Sequence, residues 1–159
     1  MLSNTEAREL KKNSLKEAKE ADIFGEDILR KLKNVEIKVK SKNQLNEIDQ
    51  RILFGYVVFN EENEKHPEIV IQDRNLATSL PNPITKILNQ SAMDHEIIGH
   101  IGHYFLENNG YSEEAACNAQ FRMARHRTSE SKIWYIIAVS IPLFQKFHRG
   151  VSLKSYFNS

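Results

Sequence analysis

The chain has a single cysteine, Cys117, in 159 residues, so no disulfide can form within it. Structural zinc sites built on two or more cysteines of the chain are excluded for the same reason. An excess of charge of one sign is missing too. Lysine and arginine total 22 against 21 acidic residues, a formal net charge of +1. That balance gives no reason to expect nucleic acid or an anionic membrane as the main partner. Long apolar runs are absent. The longest, IWYIIAVSIPLF at 133–144, has 12 residues and is interrupted by Pro142. It is too short to span a bilayer and reads as a core helix. The opening MLSNTEARELKKNSLKEAKE is charged throughout and has no apolar h-region, so it does not read as a secretory signal. With the lone cysteine, this makes a cytoplasmic protein the expectation. There is no internal repeat, linker or low-complexity segment.

The chain does have the balance of an ordinary globular domain, with 40% hydrophobic and 27% charged residues. Its length suits one domain over 1–159. Residues 4–33 carry apolar side chains at mostly helical intervals, including Leu10, Leu15, Ala18, Ile28, Leu29 and Leu32, with Gly25 as a place to break or bend. The lysine-rich face of this segment reads as solvated surface, because acids interleave. VEIKVK at 35–40 alternates as a half-buried strand does. Residues 43–51 suit a short helix. RILFGYVVFN at 51–60 and EIVIQD at 68–73 read as strands of a hairpin, with ENEKHP between them and His66 on the surface. Asn82 is placed to cap a helix, with Pro83 at its first position. That helix runs to about Glu107. Gly110 suits a left-handed ending, and Ser112 can cap a further helix to about Arg127. A last helix covers 130–147. Strands and helices do not alternate as in a doubly wound sheet. The expected class is α+β, with strands in 34–74 forming a small antiparallel or mixed sheet packed on helices, and the 83–127 helices carrying the chemistry.

Three of the six histidines fall in MDHEIIGHIGHYF, 93–105. The usual metal-peptidase pattern, H-E-x-x-H, puts two histidines four apart on one helix face. Here His95 and His100 are five apart. On a regular α-helix that is about 140° around the axis, so the two could not share an ion. Glu96, His100 and His103 would share a face instead, as a carboxylate–histidine site for iron within a helical bundle does. A single wide π-type turn reverses this, and returns His95 and His100 to one side. Gly99 favours the wide turn. It eases the distortion and makes room for a close neighbour, whereas in a regular buried helix it only costs about 1 kcal/mol against alanine.

A catalytic zinc site needs a third protein ligand. SEEAACN, 112–118, offers Glu114, with Glu113 as its competitor. Glu96, beside His95, is the natural base for a metal-activated water. Asn118 is placed to orient a histidine through its second nitrogen, and His103 suits a structural or supporting role. Tyr111, Arg122, Arg125 and His126 are candidates to stabilise an oxyanion. Arg122, Arg125, His126 and Arg127 also read as the cationic end of a helix.

HEIIGH, 95–100, resembles the HExxGH motif of dipeptidyl peptidase III, a zinc metallopeptidase family with the same extra residue. The family's third ligand is the second glutamate of a downstream EExxAE motif. EEAACN, 113–118, is similar to that motif in part, which selects Glu114 over Glu113. Cys117 and Asn118 stand where that family has alanine and glutamate. HEIIGHIGHYF also resembles segments of zincin-like domains in large multidomain proteins of phages and plasmids, and more broadly the gluzincins. These resemblances imply a zincin-like fold and a Zn2+ ion held by His95, His100 and Glu114. They also imply Glu96 as general base and a peptide or protein as substrate. The other expectation is a non-catalytic zincin-like binding module whose metal is structural or vestigial.

Overall fold

The computed structural model describes residues 2–45, 55–59, 67–72, 81–108 and 110–149. The N-terminal helical segment is two helices, α1 (Asn4–Glu20) and α2 (Glu26–Lys33). Ser3 begins α1 with a reciprocal capping box to Glu6, and Asp22, in left-handed conformation, helps turn the chain between the helices. Gly25, where a break was expected, is the N-cap of α2.

Strands β1 (Glu36–Lys40), β2 (Gly55–Val58) and β3 (Glu68–Gln72) form one sheet in the order β1-β3-β2. β2 and β3 are antiparallel, as the hairpin reading requires, while β1 pairs with β3 in parallel. The class is therefore α+β with a mixed sheet. β3 is the central strand, and its Ile69, Val70 and Ile71 are buried. It offers no free edge, and β1 and β2 are the outer strands of the described sheet. Of the helix expected over 43–51, the described part holds a 3-10 turn, Lys42–Gln44. Residues 46–54 and 60–66, with His66, lie outside the described residues.

Helix α3 (Asn82–Met93) runs into a π-helical stretch, Asp94–Ile101, and then into α4 (Gly102–Glu107). Pro81, not Asn82, occupies the N-cap of α3, so Asn82 is already helical. At the far end Asn108, not Gly110, adopts the left-handed conformation with φ 56°. Asparagine tolerates that region. Gly110 is small for another reason: a Cβ there would meet the Phe59 ring at 2.4 Å. Ser112 caps α5 (Glu113–His126) by accepting from the Ala115 amide at 3.1 Å. α6 (Lys132–Arg149) packs Trp134, Ile137, Ala138 and Ile141 against Cys117, Phe121 and Ala124 of α5. Among the described residues, no helix is long and apolar enough to cross a membrane.

The main core joins α1, α2 and the sheet to the π stretch, whose Ile97, Ile98 and Ile101 are fully buried. Asp94, at the start of that stretch, is fully buried as well. It is bound by Arg127 and by Ser14 Oγ at 2.7 Å, with Gln90 Nε2 at 3.3 Å. Burial pushes the Asp94 carboxyl up, and Arg127, Ser14 and Gln90 pull it back. Arg127 also meets Glu17 at 3.5 Å and lies 4.8 Å from the Trp134 ring. The helix that carries the histidines is thus tied at its base to both α1 and the end of α5.

Candidate metal centre

The π stretch does what the five-residue spacing requires. His95 and His100 come to one side of the helix, with ring centroids 4.8 Å apart and nearly perpendicular planes. The wide turn depends on its neighbour. A Cβ on Gly99 would meet Ala116 Cα at 2.7 Å and Ala116 Cβ at 2.8 Å. With no side chain at Gly99, α5 packs directly on the turn and brings its first residues to the imidazoles.

The carboxylate that arrives is Glu113, not Glu114. Glu113 Oε2 lies 3.3 Å from His95 Nε2, and Oε1 lies 3.6 Å from His100 Nε2. Glu114 is exposed. The reason is helical geometry: Glu113 shares a face with Cys117 and Gln120 at i+4 and i+7, while Glu114 is turned about 100° away. Donors about 2.0–2.2 Å from a tetrahedral zinc ion stand roughly 3.3–3.5 Å from one another. Each Nε2 atom stands near that separation from a Glu113 oxygen, His95 from Oε2 and His100 from Oε1.

Both imidazoles are held by their other nitrogen. His100 Nδ1 bonds to the Gly110 carbonyl at 2.8 Å, and His95 Nδ1 lies 3.3 Å from Gln120 Oε1. Gln120 is itself oriented, because its Nε2 donates to the Ser91 carbonyl at 3.1 Å and to Ser91 Oγ at 2.9 Å. An Nδ1 proton donated to either oxygen leaves an Nε2 lone pair facing Glu113, the form that binds a metal. Sequence reasoning assigned this orienting role to Asn118 and missed Gln120. Asn118 Oδ1 is buried with no hydrogen-bond partner among the described residues. Gln120 is seven residues beyond Glu113, and that spacing was the available signal.

Cys117 completes the cluster. Its Sγ is buried, 3.9 Å from His95 Nδ1, and one donor atom each from His95, Glu113 and Cys117 lie within 4.8 Å of one another. Among the described residues this is the one group of three donors so close together, and His100 stands beside it, 3.6 Å from Glu113 Oε1. His100 reaches the same carboxylate through its other oxygen, and both imidazoles are anchored through Nδ1. Two imidazoles, a carboxylate and a thiol suit a borderline-soft ion such as zinc and not calcium or magnesium.

The charges respond to this crowding. Burial lowers the His95 imidazolium, but Cys117, Glu113 and Glu96 outweigh it and hold the group up at about 10. Burial pushes Glu96 up to about 7; His95 lowers it and Glu113 raises it further. His100 is lowered by burial and by the charge of His95.

The remaining candidates are placed away from these donors. His103 Nδ1 bonds to the Gly99 carbonyl at 2.7 Å, and its ring meets Phe24 edge-on at 5.4 Å. It supports the wide turn, and the Glu96, His100 and His103 face of a regular helix does not form. His126 pairs with Glu17, and Arg122 and Arg125 are exposed on α5. The cationic end of α5 is therefore only partly solvated, since Arg127 is buried. Tyr111 is 75% exposed, with its ring against Phe59 at 4.8 Å. Comparison with protein-family models, curated proteins and solved structures gave no match.

Proposed function

We propose that the chain is a zinc-dependent metallopeptidase of zincin-like type, in which His95, His100 and Glu113 hold the ion and Glu96 is the general base. The observation that carries this reading is the convergence of two Nε2 atoms on one carboxylate while both Nδ1 atoms are tied down. Zinc in such a setting supplies Lewis-acid polarisation of a carbonyl and acidifies a water. The chain's own part is proton transfer and placement. Glu96, near 7, has the proton affinity to accept a proton at neutral pH and return it to a leaving amine. β2, an outer strand beside the π stretch, suits an extended peptide added along its edge.

One observation favours the non-catalytic module instead. Cys117 is close enough to serve as a further donor, and four protein donors make a closed, structural zinc site.

The test is Glu96→Gln, measured for zinc content and for cleavage of a broad peptide library. The expected result is one zinc per chain retained with turnover lowered by about a hundredfold or more. Wild-type cleavage by this variant would end the assignment of Glu96. A fully zinc-loaded wild type that cleaves nothing would favour the module.

A further inference from the structure

We infer that Cys117 is a ligand of this metal centre and gives it a resting form in which protein atoms fill every position of the ion. The inference rests on the metal-site reading above and concerns how that site is regulated.

Cys117 does not stand alone. It follows Glu113 by four residues, so the thiol and the carboxylate are stacked one turn apart on the face of α5 that meets the π stretch. The His95 ring lies across both. Its Nε2 is 3.3 Å from the Glu113 carboxylate and its Nδ1 is 3.9 Å from Cys117 Sγ. One donor atom each of His95, Glu113 and Cys117 lie within 4.8 Å of one another. The thiol lies on the Nδ1 edge of the ring, and turning the Cys117 side chain toward Glu113, one helical turn before it, brings it toward an ion held at Nε2.

The backbone near Cys117 is poorly placed to move away. α5 is locked onto the π stretch through Gly99 and Ala116, and Arg127 at its end is bound to Asp94 and Glu17. The thiol therefore stays within reach of whatever His95 and Glu113 hold. With His95, His100, Glu113 and Cys117 all bound, no position is left for water or a substrate carbonyl. With the thiolate turned aside, the three remaining donors leave one position open. Zinc binds thiolate more readily than magnesium or calcium does, so the same side chain also discriminates against the abundant hard cations.

Cobalt(II) titration of the metal-free wild type, Cys117→Ser and Cys117→Ala provides the test. The expected result is tetrahedral d–d absorption in all three, with a thiolate-to-cobalt charge-transfer band in the wild type alone. Zinc affinity should fall by more than about a hundredfold in both variants, beyond the ten- to a hundredfold usual for losing an outer partner of a ligand. Tetrahedral absorption without the charge-transfer band in the wild type would overturn Cys117 as a ligand and leave the metal site standing. Failure of the wild type to bind cobalt or zinc at all would overturn the metal-site reading, and this inference with it.

Discussion

Gly99 and Ala116 approach so closely that a methyl group on Gly99 would meet the Ala116 Cα at 2.7 Å. Neither atom is the end of a flexible side chain, so backbone has to move. Gly99→Ala should push α5 off the π stretch and carry Glu113 and Cys117 away from the histidines. We expect a loss of about 1–3 kcal/mol in stability, the usual scale of overpacking, together with a loss of zinc affinity. Chemical denaturation and a chelator-competition titration measure the two effects. An unchanged zinc affinity would show that α5 does not need this contact to bring its donors to the site.

The two adjacent glutamates should separate cleanly. Glu113→Ala removes the carboxylate that faces both imidazoles, and zinc content should fall toward zero. Glu114→Ala changes an exposed side chain, and zinc content should stay at the wild-type level. Mass spectrometry of the purified variants decides, and the reverse pattern would restore the glutamate favoured by the motif resemblance.

Gln120 has a narrower task. Gln120→Leu keeps most of the side chain's volume but removes the oxygen that receives the His95 Nδ1 proton. We expect zinc affinity to drop about ten- to a hundredfold while zinc can still be loaded. Asn118→Leu, measured alongside, should leave affinity unchanged, because no contact ties Asn118 to either histidine.

The pH dependence should have opposite signs with and without metal. In the metal-free protein the fold holds His95 protonated, up at about 10 against 6.5 for a free histidine. That imidazolium stabilises the fold fully below about 6.5, and its contribution disappears as pH rises through about 10. Metal binding must displace the same proton, so zinc affinity should rise with pH across neutrality, by about tenfold per unit for one proton released. Thermal melts of both forms from pH 6 to 9, with calorimetry in buffers of different ionisation enthalpy, test both signs. A zinc affinity flat over this range would mean that His95 binds no metal.

The sequence reading succeeded wherever a local rule was enough. The five-residue spacing and Gly99 predicted a wide turn, and the π stretch is there. Ser112 predicted the start of α5, and two runs rich in β-branched and aromatic residues predicted the β2–β3 pairing. It went astray where one residue's angle about a helix decided the matter. Glu113 and Glu114 differ by a single position, and a motif match cannot say where α5 is rotated to face its neighbour. Gln120 carried no motif at all; its role appears only when α5 is laid against α3 and the amide reaches Ser91. The buried Asp94–Arg127 pair was hidden for a similar reason. In sequence Arg127 looks like one of several cations ending a helix, and only the packing of α1 across that end distinguishes it.

The base of the histidine helix has a consequence for assembly. Asp94 is bound by Ser14, 80 residues earlier, and by Arg127, 33 residues later. Neither partner can be found by local search, so these loops must close before the buried carboxylate has its counter-charge. Long closures of this kind slow folding. The histidine spacing is a local property of the helix, but the helix reaches its final setting only when α1 and the end of α5 have both arrived. Metal competence should therefore be among the last properties gained during folding, and a nascent chain should not capture an ion at this centre before the end of α5 is in place.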